Sequence, residues 1–499
     1  MSPRRESYRR HHSSIAMEGS GSPHERTVYR APAVHCGKGR TREVGAPLPE
    51  SELSSTPTVS NQVTPDWFAR HVLDVDLRLP SRRALTQDIC KALIADSFRK
   101  RDRILTAMAS FKNATPRNRR QVARIALTAK ALHVAALYSA TTRGMESGHN
   151  GQGWPPERIV CAAIGLDMWS PLHGDIQMSL QDRSGGEQRP IWRLANPLDR
   201  ARHQIGRIVH YALSPPLRGL FATTGAGGER ALKKVLQTHL PNTELVLITD
   251  FQQCFLTLSK ARVEDGLLLP RRVTKSLLTR PTAKVRRPKS ARYEGYMRRS
   301  HSMGSSLWMP SPIWRLQAAD SCADALNGEF GVLPGLPLST SGSEVVLAPI
   351  VACIEAAAPG VRALLWVDDL IVLLPKPEDE GPVRAALAAA VRDAICGPAQ
   401  LALRRRIQRF DPRKGFEVLG YRISLQGKNV EFLPREGFWA HLEDQALSEI
   451  SEHHERFDAE VIKQRILARA ARYEGGNVLG QALQSYSTLI QAVSERSSA

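Results

Sequence analysis

The most constraining feature of this sequence is an apolar stretch, residues 363–374, that is interrupted by two adjacent aspartates. The runs on either side of Asp368 and Asp369 are short, bulky and uncharged, which is typical of strands buried on both faces. We therefore predict a hairpin with two carboxylates at its tip. Such oxygens suit magnesium, and two ions can hold the attacking and leaving oxygens of a phosphoryl transfer. Asp-Asp is also ordinary turn chemistry, so this pair alone does not decide between the two interpretations.

The charge balance of the chain indicates a polyanionic partner. It contains 69 Lys and Arg against 49 Asp and Glu, which gives a net charge of +20 and a sequence pI near 10.0. An excess of this size attracts nucleic acid, because binding at the phosphates releases counterions. The length of 499 residues and the hydrophobic content of 42% fit a globular protein of about two or three domains.

Cysteine usage and hydropathy indicate in which cellular compartment the protein is expected. The 7 cysteines are scattered, without C-x-x-C spacing, so the sequence predicts neither a disulfide framework nor a zinc module. We expect a reducing compartment and a cytoplasmic location. No run approaches about eighteen uncharged apolar residues, so no membrane helix is expected. The Arg- and Ser-rich start resembles a transit peptide only faintly, because Glu6 and Glu18 interrupt it.

Composition and periodicity divide the chain into four parts. These are a disordered basic tail at 1–64, a helical N-terminal region at 65–174, a mixed strand and helix region at 175–430, and a second helical region at 431–499. Apolar spacing in the N-terminal region predicts helices over 84–111 and 120–139, joined as a hairpin.

A basic insertion lies within the mixed region, at residues 271–300. It carries eleven Lys and Arg and a single acidic residue, Glu294. Tyr293 and Tyr296 interleave with the basic residues, a pattern suited to single-stranded nucleic acid through phosphate contacts and base stacking. The alternative is a solvated loop without a partner.

A third carboxylate ends a separate apolar strand, Leu245–Asp250. Strand-end aspartates also serve as caps and turn starters, so alone this signal is weak. Phe255 lies five residues beyond Asp250, close enough to lie beneath the sugar of a nucleotide held by metals at the aspartates.

At these residues the chain resembles a known family. Asp250–Phe255 resembles the first palm motif of reverse transcriptases, and Trp366–Asp369 resembles their aromatic-x-Asp-Asp box. Further matches follow the family's order over roughly residues 175–430. They are Arg189–Ile191 with Asp199, Arg200 and Gln204 in the fingers, Gly225–Lys233 with His239 before the first aspartate, Leu333–Ser339 as the template and nucleotide loop, and Val418–Tyr421 as the primer grip.

The resemblance implies an α+β fold of the right-hand polymerase type, with fingers, palm and thumb. The palm sheet would be antiparallel, 175–430 would form fingers and palm, and 431–499 would form a helical thumb. Two magnesium ions, with manganese as a substitute, would be held by the carboxylates of Asp250, Asp368 and Asp369 and by the main-chain carbonyl of Phe251. The implied activity is RNA-directed DNA synthesis, with an RNA template, a DNA or RNA primer and deoxynucleoside triphosphates.

The resemblance also implies a set of substrate contacts. Arg189 or Arg193 would grip the triphosphate, since a guanidinium forks onto two phosphate oxygens. The ring of Phe255 would exclude a 2′-hydroxyl, which favours deoxynucleotides. The remaining implied contacts are Gly335 at the nucleotide loop, Arg406 at the leaving phosphates, and Leu419, Gly420 and Tyr421 at the primer.

Two alternatives to a reverse transcriptase remain open. The family loop usually reads Leu-Pro-Gln-Gly, whereas here Pro334 directly precedes Gly335, which favours a template- or primer-independent nucleotidyl transferase on the same palm. The other alternative is a non-catalytic RNA-binding scaffold. Three aspartates in family order argue against it, because unused buried carboxylates are unfavourable.

Within the family, a stand-alone bacterial enzyme used in antiphage defence is favoured. A group II intron maturase would have a longer C-terminal region, and a retron enzyme would carry Val-Thr-Gly near the thumb. A structured non-coding RNA partner and an oligomeric assembly are both compatible with the sequence.

Overall fold

The computed structural model describes eleven ranges of the chain, with the basic tail before residue 63 outside them. They are 63–142, 153–182, 188–215, 219–221, 228–251, 254–286, 331–393, 407–440, 442–443, 459–473 and 478–498. Arg406 and the second half of the basic insertion, 287–300, also lie outside these ranges.

The described residues form a mixed helix and sheet fold. The helices are α1 Pro65–Val75, α2 Gln87–Ala109, α3 Pro116–Ala126, α4 Lys130–Thr142, α5 Pro156–Ile164, α6 Pro197–Leu213, α7 Gly228–His239, α8 Cys254–Thr257, α9 Lys260–Gly266, α10 Arg271–Thr274, α11 Ser339–Glu355, α12 Glu380–Asp393, α13 Ala459–Ala470 and α14 Val478–Ser498. The strands are β1 Ile176–Asp182, β2 Gln188–Leu194, β3 Leu245–Asp250, β4 Val285–Arg286, β5 Arg362–Trp366, β6 Asp369–Leu374, β7 Gln408–Phe410, β8 Phe416–Val418, β9 Tyr421–Gln426 and β10 Asn429–Pro434.

The N-terminal helices begin where the sequence supplies caps. The side-chain oxygens of Thr64, Thr86 and Thr115 each accept a hydrogen bond from the main-chain N–H three residues on, which satisfies a donor that the first turn leaves unpaired. The helix predicted over 120–139 is instead two helices, α3 and α4. The break has a tertiary cause, because the Asp76 carboxylate accepts the N–H groups of Lys130 and Ala131 at 2.8 Å and caps α4 from outside.

Within the described ranges the strands form three sheets. The central sheet has the order β5-β6-β3-β7 and is antiparallel throughout. A second sheet, β10-β9-β8, is also antiparallel, and the third, β2-β1-β4, joins an antiparallel hairpin to a short parallel strand. The main chain of residues 219–221 extends the outer edge of β5.

The two faces of the central sheet contact different apolar cores. One face, with Leu245 and Leu247, faces core A, which includes residues of α11, α12 and the N-terminal helices. The opposite face contributes to core B, together with α7 and the β8–β10 sheet. Core B comprises Phe221, Leu232, Leu236, Leu240, Val246, Leu364, Trp366, Ile371, Leu373, Phe416, Val418, Tyr421, Ile423 and Phe432.

The first half of the basic insertion belongs to the folded body. Residues 271–286 form α10, a π-helical turn at Lys275–Thr279 and β4. Val273, Leu277 and Leu278 are buried in core A, so apolar residues interspersed among the cations anchor this segment.

The C-terminal helices α13 and α14 pack on each other around Ile466, Ala482 and Leu489. Trp439 extends this cluster and donates a 3.1 Å hydrogen bond from Nε1 to Gln481. Among the described helices none combines the length and the apolar character needed to cross a bilayer.

Candidate active site

The hairpin predicted around the acidic pair is formed by β5 and β6. Trp366 pairs with Asp369, which leaves Val367 and Asp368 as the two residues of the turn. Val367 has a φ of +61°, and a positive φ at the first central position is a feature of type II′ turns, where glycine is usual. A β-branched residue in this conformation is strained by about 1–3 kcal/mol. Its side chain packs against core B, which helps to fix the turn.

The strand register brings the three aspartates to one end of the sheet. Asp250, the last residue of β3, lies directly opposite Asp369, the first residue of β6. Residues opposite each other in an antiparallel pair share a face, so both project from the core B side. The Phe251 N–H donates a 3.0 Å hydrogen bond to the Asp368 carbonyl, which ties the hairpin tip to the end of β3. All three aspartates are half-buried.

The donor chemistry of this edge fits a hard divalent cation. Carboxylate oxygens are its preferred ligands, and opposed Cβ atoms in such a pair are about 4.5–5.5 Å apart, which lets two side chains reach one ion. Among the described residues, no three or more His, Cys, Asp or Glu side chains are already grouped as a ligand set. Carboxylates repel one another, so drawing them into such a set requires the cation's charge.

The loop Leu333–Ser339, which is predicted to contact template and nucleotide, lies against the β1–β2 hairpin. The Trp192 N–H donates a 3.1 Å hydrogen bond to the Pro334 carbonyl. Gly335 has a φ of +95°, and a Cβ there would come within 2.7 Å of the Trp192 carbonyl oxygen and the Ile191 side chain. Glycine is therefore required for this close approach. Ser339 closes the loop by donating from Oγ to the Leu333 carbonyl at 2.6 Å, at the start of α11.

The two arginine candidates lie on β2. Arg189 pairs with Gln181 and Arg193 with Gln177, so strand alternation gives both positions the same face of the hairpin. Arg193 is exposed, whereas its neighbour Trp192 is buried on the other face. The structure thus leaves the Arg193 guanidinium accessible to an anionic ligand.

Phe255 lies in α8, with its ring in core A and only 7% of the residue exposed. Its carbonyl accepts the Val332 N–H at 2.8 Å, so the segment after Asp250 is tied to the chain that enters the nucleotide loop. Contact between this ring and a sugar stays a prediction.

The predicted primer hairpin is formed by β8 and β9. Val418 pairs with Tyr421, and the intervening Leu419 and Gly420 have φ angles of +55° and +82°. Positive φ at both central positions is the mark of a type I′ turn. Leu419 and Tyr421 pack in core B, so this hairpin covers the sheet face from which Asp250 projects.

Sequence reasoning missed a group of charged residues beside this hairpin. Glu229, Lys233 and Arg472 surround Tyr421, and Glu229 and Lys233 have the i, i+4 spacing of a helical ion pair. That spacing was the one signal available, since Arg472 is distant in sequence. Sequence reasoning also missed Glu344 of α11, which is buried beside Tyr211 and Arg207.

No protein-family model matches the sequence, and no curated protein is similar to it in sequence. Among solved structures, telomerase from Candida tropicalis, in complex with the TWJ fragment of telomeric RNA, matches with a TM-score of 0.32 and 12% identity. The match covers 66% of this chain and 55% of that chain, so this chain spans about half of that telomerase's length. A TM-score this low does not establish a shared fold.

Proposed function

We propose that this protein is an RNA-directed DNA polymerase that adds deoxynucleotides to a primer 3′ end at Asp250, Asp368 and Asp369. The observation that carries the proposal is the register of β3 and β6. It sets Asp250 opposite Asp369, while the Phe251–Asp368 main-chain hydrogen bond holds the hairpin tip beside them. Carboxylates from sequence-distant strands on one sheet face are the arrangement that two-metal phosphoryl transfer requires.

In this proposal the residues of the chain mainly position the substrates and neutralise the charge of the phosphates. Two magnesium or manganese ions would be held by the carboxylates of Asp250, Asp368 and Asp369 and by the Phe251 carbonyl. These ions would activate the primer hydroxyl and neutralise charge on the triphosphate. Little acid–base chemistry is then left for side chains. Arg193, which is exposed on β2, would bind the triphosphate, and Arg189 and Arg406 are further candidates for contacts with its phosphates.

We assign the β1–β2 hairpin to the fingers, the central sheet to the palm, and α13 with α14 to the thumb. The net charge of +20 supports an RNA or RNA–DNA duplex as the bound polyanion. The ring of Phe255 would exclude nucleotides that carry a 2′-hydroxyl, so the product would be DNA.

A template-independent transferase is the second candidate. It is favoured by the loop at Pro334–Gly335, which lacks the family's Gln and closes directly on the main chain of Trp192. In that case the aspartates would have the same chemical role, and the incoming nucleotide would be chosen without pairing.

The experiment that separates these functions measures incorporation of each of the four deoxynucleotides on primed RNA of known sequence. The proposed function predicts magnesium-dependent addition of the complementary deoxynucleotide, with ribonucleotides strongly disfavoured. Equal addition with and without template would establish the transferase instead. Absence of addition under all these conditions, from protein that binds RNA, would refute both and leave an RNA-binding scaffold.

A further inference from the structure

Three segments that are far apart in the sequence meet at Tyr421, the residue that follows the turn of the primer hairpin. Glu229 lies in the first turn of α7, and its Oε1 accepts a hydrogen bond from the Tyr421 hydroxyl. Its Oε2 accepts a second hydrogen bond, at 2.9 Å, from Nη2 of Arg472, just after α13. One carboxylate therefore joins α7, the primer hairpin and the C-terminal helices.

Lys233 reinforces this junction from one helical turn further along α7. It is only 7% exposed, and its ammonium group lies 3.9 Å from the Glu229 carboxylate. The same group donates to the Arg472 carbonyl and lies 4.9 Å and 5.2 Å from the ring centroids of Tyr421 and Phe432. A buried cation requires such compensation, and each of the three joined segments supplies part of it, through the Glu229 carboxylate, the Tyr421 ring and the Arg472 carbonyl.

An aromatic ring continues the junction into the C-terminal helices. Tyr473 packs edge-on against Tyr421, with ring centroids 5.3 Å apart, and against Phe438 at 5.2 Å. It contacts both core B and the cluster that holds α13 and α14 together. The C-terminal helices therefore connect to the aspartate-bearing face of the central sheet through the residues that fix the primer hairpin.

We infer that Glu229, Lys233, Tyr421 and Arg472 are positioning residues for a primer–template duplex, which hold the Leu419–Gly420 turn and the C-terminal helices as one unit beside the aspartates. This inference rests on the proposed polymerase function. A duplex whose end lies at the aspartates would contact the turn and the helices together, so a fixed spacing between them would favour binding and repeated addition. The ligand of this unit is the duplex, whereas the nucleotide belongs to the aspartates and the fingers.

The test uses Tyr421→Phe, Arg472→Gln and the double variant in the full-length protein. Lys428→Gln, in the exposed turn at the far end of β9, is the control for loss of a cation. The measurements are KM for primed RNA, kcat for a single addition per active molecule, and product length when an excess of competitor RNA captures released enzyme. Tyr421→Phe keeps the ring against Lys233 and Tyr473, so it removes little besides the hydrogen bond to Glu229.

We expect both single variants to raise KM for primed RNA by at least about tenfold, the factor for one hydrogen bond to a charged group. We also expect shorter products and a kcat within about twofold of the wild type. The KM of the double variant should be no higher than that of the more impaired single variant, because the residues act as one unit. Unchanged KM, a fall in kcat alone, or fully additive effects would each overturn the inference. An inactive wild-type protein would instead refute the proposed function.

Discussion

Val367 and Leu419 hold positive φ angles at the tips of two hairpins that contact core B. Within the described residues they are the two non-glycine positions in this conformation. One precedes Asp368 and the other begins the proposed primer turn. Strained backbone persists only where the surroundings fix it, and it is often found at functional sites. Packing therefore holds both turns in place.

Gly335 gives a direct test of the loop geometry. Gly335→Ala should destabilise the protein by about 1–3 kcal/mol, since the new Cβ would meet the Trp192 carbonyl oxygen at 2.7 Å and alanine disfavours a φ of +95°. Gly381→Ala is the matched control: its Cβ meets nothing within 4 Å, and alanine favours the helix α12. Urea unfolding of both variants measures the difference. A Gly335→Ala protein as stable as the control would contradict the observed contact.

Because of Glu344, the free energy of unfolding should fall as the pH becomes alkaline. Burial raises the pKa of its carboxyl group from the usual 4.5 to about 8, so the folded state binds the proton more tightly than the unfolded state. Its contribution to stability is therefore complete below about pH 4.5 and is lost as the pH rises toward 8.

The measurement is the free energy of unfolding between pH 7 and pH 9. The wild type should lose about 1 kcal/mol between pH 7 and pH 8, and Glu344→Gln, which stays neutral, should lose markedly less. Parallel curves for the two proteins would show that Glu344 ionises normally in the folded state.

A buried ion pair fixes the loop before β1 onto α6. Asp199 and Arg202 are both almost inaccessible, with Nη1 of the arginine 3.2 Å from the carboxylate. Asp199 also accepts the N–H groups of His173 and Gly174 at 2.9 Å, and Arg202 donates to the carbonyls of Pro171, Met168 and Ser170. The pair thus anchors the entry to the β1–β2 hairpin.

Removal of the negative charge of Asp199 should destabilise the protein strongly. Asp199→Asn leaves the Arg202 guanidinium buried without its counterion, and we expect a loss of about 3 kcal/mol in the free energy of unfolding. Asp102→Asn, an exposed carboxylate paired with Arg101 on α2, is the control and should change stability by less than about 1 kcal/mol. Equal effects of the two substitutions would mean that the buried pair contributes no more than a surface pair.

The elements that the sequence predicted best are those with a local signal. Two apolar runs around Asp368 and Asp369 sufficed for the β5–β6 hairpin, and the run ending at Asp250 sufficed for β3. The division of residues 120–139 into α3 and α4 escaped prediction because its cap, Asp76, lies about fifty residues upstream. The junction at Tyr421 escaped for the same reason, since Arg472 has no local feature that marks it.

For the molecule as a whole, three buried histidines predict sensitivity to acid. Burial lowers the pKa of His133 from the usual 6.5 to about 4, and it lowers the pKa of His203 and His210 to about 3. The folded state keeps them neutral, so their contribution is complete above about pH 6.5 and is lost as the pH falls toward 3–4. Stability between pH 7 and pH 5 should fall with net proton uptake on unfolding, which calorimetry in two buffers of different ionisation enthalpy measures. Zero uptake would contradict this.

The proposed activity depends on Asp250 at the end of β3 and on Asp368 and Asp369 at the tip of the β5–β6 hairpin. The most direct test compares magnesium-dependent deoxynucleotide incorporation on primed RNA by the wild type, Asp250→Asn, Asp368→Asn and a control, Glu378→Gln, which removes an exposed carboxylate elsewhere. We predict that both aspartate variants fold as the wild type does and lose activity by at least about a thousandfold, while the control retains it. Incorporation at the wild-type rate by either aspartate variant would contradict the account.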